Sequence, residues 1–176
     1  MGSYVELHCH SNFSLLDGAS APEKLVARAK ELGMTALAIT DHDGLYGAVR
    51  LYRAAKESGI KPIIGAEITL DNGCHLTLIA ENKAGYSNLC RLINYSHSKG
   101  GKTKAALDWP TLSSLSSGLI CLSGCRNGEV CKCLLRAKED DAMAVAEKYV
   151  EVFGRENFFW RFNSIIFLTI QGFVSN

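Results

Sequence analysis

The chain has no C-x-x-C pair among its seven cysteines, no long uninterrupted apolar stretch, and almost no net charge. Each absence excludes something. Without C-x-x-C spacing, neither a zinc ribbon nor a thioredoxin-type redox motif is expected. A membrane-spanning helix needs about 20 mostly apolar residues. The most apolar stretch, "FFWRFNSIIFLTIQGFV", is broken by Arg161, Asn163 and Gln171, and its longest clean run is Ile165 to Leu168. A formal charge of +1 argues against a nucleic-acid surface spread over the whole chain. The local run "SKGGKTK" (98–104) reads first as a solvated loop. No G-x-x-x-x-G-K-[ST], G-x-S-x-G or G-x-G-x-x-G motif is present, which removes the phosphate-loop, esterase-elbow and dinucleotide-binding readings.

What remains is a chain of 176 residues, 47% apolar and 21% charged, with the balance of a globular domain. Met-Gly-Ser leads straight into a charged segment rather than a basic start and an apolar run. The odd cysteine count then points to a reducing compartment and free thiols. Cys131 and Cys133 are expected in one helix, with one of them buried.

Strand and helix patterns alternate. Residues 4–9 read as a strand. Pro22 to Leu32 reads as a helix with Ser20 as N-cap and Gly33 as its stop. "TALAIT" (35–40) is a short buried strand, Leu45 to Ser58 a helix ended by Gly59, and "KPIIGAEITL" (61–70) a third strand. A turn at "NGC" leads to a strand over 75–81 and then a helix over 85–97 with Leu89, Leu92 and Ile93 on one side. A short helix entered through Pro110, a strand over 118–124, helices over Glu129–Arg136 and Asp140–Phe153, and a strand opening at Phe158 complete the pattern. Repeated strand–helix units imply an α/β protein with a parallel barrel or open sheet.

The metal-type residues collect at strand ends, where parallel α/β architectures place their functional groups. His8 and His10 are two apart on a strand, so both imidazoles face one side and Cys9 the other, toward the core. Asp41 and His42 end the second strand, Glu67 lies on the third, and Cys125 follows "LSG". His75 starts its strand, and reaches the same rim only if that strand runs antiparallel. A metal cluster and a set of structural polar residues both fit this spacing, and His97, on a polar helix end, reads as structural. The cluster reading implies metal-assisted hydrolysis, with Glu67 bridging two ions and a bound water ionised near neutral pH. Asp41 then either holds the second ring nitrogen of His42 or caps the following helix. Asp17, before Gly18, reads as a turn residue by spacing alone. Ser123 has no base motif beside it.

Five ordered stretches, "LHCHSNFSLLDGAS", "AITDHDGLYG", "IIGAEITL", "HLTLIAENKAGYSNLCRLI" and "LSGCRNGEV", together resemble the PHP (polymerase and histidinol phosphatase) domain of bacterial DNA polymerase III alpha subunits, with wording closest to the error-prone branch. The resemblance covers about residues 4–159. It implies a distorted (β/α)7 barrel, incomplete here on its C-terminal side, with a partial PHP domain over 1–159 and a divergent tail over 160–176 of the kind a frameshift or truncation leaves. It implies His8, His10, Asp17, His42, Glu67, His75 and Cys125 as ligands for Zn2+ or Mn2+, up to three ions in the family and fewer here. A downstream Asp-x-His motif that completes the family's site is not found, so weak or no hydrolysis is expected. Also implied are a cytoplasmic location, DNA, the rest of the polymerase and replication or repair factors as partners, no membrane, and a phosphoesterase or 3′–5′ exonuclease activity. The alternatives are a non-catalytic metal-binding module and a free-standing PHP phosphatase.

Overall fold

A computed structural model of the chain describes residues 4–100 and 105–160. Helix α1 (Pro22–Glu31) is followed by β1 (Ala36–His42), α2 (Ala48–Ser58), β2 (Lys61–Thr69), β3 (His75–Ala80) and α3 (Lys83–Gly100). Then come α4 (Trp109–Ser114), β4 (Leu119–Leu122), α5 (Glu129–Leu135), α6 (Glu139–Phe153) and the short β5 (Phe158–Phe159). The five strands form one sheet in the order β1-β2-β3-β4-β5. The α/β class is as expected, but the sheet is mixed and, among the described residues, open rather than closed into a barrel. β1 and β2 are parallel, β3 runs antiparallel to both β2 and β4, and β4 and β5 are parallel. The physical reason is the connection between β2 and β3. It is a tight turn at 70–74, in which Gly73 adopts a φ of +73°, and a turn that short joins only antiparallel strands.

The reversal of β3 places His75 opposite Thr69, at the same rim as the ends of β1 and β2. One face of the sheet alternates Ala66, Ile68, Leu76, Leu78, Leu119 and Cys121 against α3, α4 and α6, with Leu89, Leu92, Leu112 and Tyr149 filling the layer. At the β1 edge, Leu37 and Ile39 pack with Val26 and Ala29 of α1 and with Leu51 and Ala55 of α2. The opposite face carries Gly65, Glu67 and Thr77. Gly65 is required there, since a Cβ would stand 2.6 Å from the carbonyl oxygen of Leu78.

Several local expectations change. Residues 4–9 do not form a regular strand. They run beside β1 through one parallel bridge, Glu6 to Leu37, and donations from Ala38 N–H to Glu6 O and from Thr40 N–H to Cys9 O. Cys9 is accordingly half-buried and outside both core clusters, though burial, then Glu6 and Asp41, push its thiol up to about 11. Ser20 does not cap α1. Ala21 holds the N-cap position with no side-chain bond, and Pro22 fixes the first turn instead. α2 begins at Ala48, because 43–47 is a turn. All seven cysteines are free, and of the helical pair Cys131 is buried and Cys133 half-buried. The basic run at 98–104 and the tail fall largely outside the described residues. The strand that opens at Phe158 is described only to Phe159.

Asp108 caps α4, accepting the Thr111 N–H at 2.9 Å, the Tyr95 hydroxyl at 2.7 Å and the Lys99 ammonium at 2.5 Å. Lys99 first, then Thr111 and Tyr95, hold its carboxyl well below the usual carboxylate range. A depressed folded value means the contribution is complete above pH ~4 and is lost as pH falls below it. Asp108→Ala is expected to cost about 1 kcal/mol at pH 7. Urea unfolding of both proteins at pH 7 and pH 3 checks this, and a gap that widens in acid contradicts it.

Candidate metal centre

The site is built outward from Asp41, at the end of β1 and buried to 1% exposure. Its carboxylate accepts the Ser11 N–H and the Ser14 hydroxyl on Oδ1 and the Ser11 hydroxyl on Oδ2, each at 2.7 Å. These bonds tie the loop after His10 to the sheet. Gly18 closes the same loop against the Ser11 carbonyl, which lies 1.9 Å from where a Cβ would sit. No side chain is compatible with that approach. Asp41 therefore neither holds the His42 ring nor caps α2, whose N-cap is Gly47; both expectations are corrected. Its bonds are all directed to the two serines because the loop backbone, not the His42 ring, lies over the strand end.

Glu67 is the centre of the cluster and is 1% exposed. On one side, its Oε2 lies 2.5 Å from His8 Nε2 and 3.8 Å from His10 Nε2. The two imidazole Nε2 atoms are 3.1 Å apart. On the other side, Oε1 meets His75 Nδ1 in a very short contact and lies 3.6 Å from His42 Nδ1 and 3.4 Å from Cys125 Sγ. His8, His10 and Glu67 thus make one group with the spacing of a cation site, and His42, Glu67 and His75 a second that shares the carboxylate. Cys125 Sγ is 3.7 Å from His75 Nδ1. Gly124, at φ +86°, lets its backbone come against the His75 carbonyl and so sets Cys125 there. Asp17 Oδ2 meets the outer nitrogen of His42 at 2.8 Å. All seven residues singled out in the sequence meet at one rim.

Electrostatics agree with a cation-seeking site. Burial alone raises the Glu67 carboxyl, but the bonds from His75 and His8 more than offset it and hold the group well below the usual range. His75 moves the other way, up to about 10, through Cys125 first and then Glu67. His10 is lowered, chiefly by burial and then by His8. A buried carboxylate ringed by four imidazoles requires a proton or a metal ion as counter-charge. His8 Nδ1 is buried with no hydrogen-bond partner, and the buried Glu67 Oε2 is met only by the ring nitrogens of His8 and His10. Converging imidazole nitrogens around such a carboxylate fit a divalent cation of the zinc or manganese type; the donor set does not choose between them.

Two contributors, Ser11 and Ser14, escape sequence reasoning. They sit in a loop where no periodicity or charge pattern marks them. His97, read as structural, does have a structural role: its Nε2 bonds the Asp43 carbonyl at 2.6 Å, bracing the turn after His42. Ser123 is buried just after the end of β4.

A family model described as PHP domain matches residues 6–164. An error-prone DNA polymerase of Symbiobacterium thermophilum is 45% identical over 168 residues, covering 86% of this chain and 15% of that protein. A DNA polymerase III subunit alpha of Treponema pallidum is 39% identical over 171 residues, covering 89% and 15%. The chain therefore spans about 15% of the length of these curated relatives. Among solved structures, one described as a metal-dependent phosphoesterase from Bifidobacterium adolescentis is 27% identical with a TM-score of 0.46, over 57% of this chain and 35% of the other.

Proposed function

Because the chain belongs to the PHP domain family, we propose that it is the PHP portion of a bacterial DNA polymerase III alpha-type polymerase, of the error-prone kind, working on DNA in the cytoplasm during replication or repair synthesis. In this reading the sheet is one part of a distorted (β/α)7 barrel spanning 1–159, with 160–176 outside it. His8, His10, Asp17, His42, Glu67, His75 and Cys125 hold divalent ions, zinc or manganese, and the reaction is hydrolysis of a phosphoester, with the 3′ end of a DNA strand as substrate.

The observation that carries the proposal is the position of Glu67, a buried carboxylate shared by two imidazole groups at the strand rim. Divalent ions held there would make hydroxide available near neutral pH and offset charge on a phosphoryl oxygen. The chain's own residues fix the geometry. Glu67 sets the spacing of the two groups, and Asp17 orients His42 from outside. Cys125 borders the second group, and Asp41 anchors the loop that brings in His10.

The test is direct. The purified chain, after metal content is measured, is incubated with a 3′-labelled single-stranded oligonucleotide and Mn2+ or Zn2+. Bound metal with slow release of 3′ nucleotides, abolished by His8→Ala, is the expected result. Bound metal with no release at any concentration favours a structural metal-binding module, and a chain free of metal defeats both readings.

A further inference from the structure

The hydrogen bonds around Ser14 fix a proton that the metal reading leaves open. Ser14 has one hydroxyl proton and two lone pairs. The proton goes to Asp41 Oδ1 at 2.7 Å. One lone pair accepts the His42 backbone N–H at 3.0 Å. The remaining contact is His10 Nδ1 at 3.2 Å. With its proton already committed to a buried carboxylate, Ser14 can only accept from that ring. His10 Nδ1 must therefore carry hydrogen, and in the neutral ring His10 Nε2 is left with its lone pair facing His8 Nε2 and Glu67 Oε2.

We infer that Ser14 is a positioning residue for the metal centre: anchored by Asp41, it locks His10 in the Nδ1–H tautomer and aims its Nε2 at the ion held by His8, His10 and Glu67. The inference rests on the metal-binding reading above. Asp41 matters through both serines. Ser11 holds the backbone just after His10, and Ser14 holds the ring itself. The same hydroxyl also holds the His42 backbone, so one serine joins a histidine of the first group to the strand end bearing a histidine of the second. Metal-ligating imidazoles are commonly fixed through their second nitrogen in this way, and losing such a partner weakens metal affinity roughly 10–100-fold.

Two measurements test it. Long-range 1H–15N spectra of the metal-free chain, with His10 assigned by comparison with His10→Gln, should show the Nδ1–H tautomer. An Nε2–H tautomer overturns the inference. Zinc titration against a competing chelator should show affinity about 10–100-fold lower in Ser14→Ala and restored in Ser14→Thr, which keeps the hydroxyl. Equal affinity in Ser14→Ala overturns it. If Ser14→Ala loses its cooperative thermal transition, the wild-type spectrum and Ser14→Thr decide, since a merely structural serine would leave the tautomer unset. A wild-type chain that takes up no zinc defeats the metal reading instead, and the tautomer still tests Ser14.

Discussion

Glu67→Gln should strip metal from both imidazole groups at once. The substitution keeps size and burial but removes the charge that His8, His10, His42 and His75 surround. Zinc held by about four ligands in small proteins is worth roughly 10–16 kcal/mol, or about 3 kcal/mol per ligand. Losing that much lowers affinity about 100-fold, at 1.4 kcal/mol per factor of ten. Since the carboxylate is common to both groups, metal stoichiometry should fall by more than one ion per chain. His75→Ala, which touches only the second group, should remove one at most. Elemental analysis after dialysis against a weak chelator reads both outcomes. Full stoichiometry in Glu67→Gln would show that the carboxylate is not shared.

The second large effect concerns the layer beneath the site. Leu78 is fully buried in the middle of β3, paired with Ala66 on one side and Cys121 on the other, within the cluster that seats α3, α4 and α6. Leu78→Ala should cost about 3 kcal/mol, the range for a leucine cut back in a core that cannot collapse around the cavity. Denaturant unfolding of the metal-free chain measures it. A loss below about 1 kcal/mol would mean that this face is loosely packed. Its consequence reaches the candidate metal centre, because β3 carries His75 at its start and β2, its partner, carries Glu67.

The two faces of the sheet are unequal. Opposite the packed layer lies a groove of about 1190 Å³, lined in part by Ile63, Ile79, Ile120, Leu122, Phe159 and Trp160. Its apolar lining continues the alternation that puts Glu67 and His75 on the same face. The metal-type residues and this groove are thus two ends of one surface, polar at the rim and apolar along the strands.

Much of this was legible in the sequence. Alternating apolar strands and amphipathic helices located nearly every element, since period-2 and period-3.6 burial patterns are local properties of the chain. His8 and His10, two apart in an extended segment, had to face one way, and the five quoted stretches marked the family and with it Asp17. Tertiary structure decided the rest. Whether His75 joined the rim depended on the direction of β3, which the 70–74 turn fixed as antiparallel. Where Asp41 directed its oxygens depended on a loop some 30 residues earlier folding over the strand end. The pairing of Ser14 with Asp41 and His10 leaves no periodic trace. Hydrophobic patterning is written residue by residue because burial follows the element's own geometry. Hydrogen bonds between distant segments exist only once packing has brought those segments together.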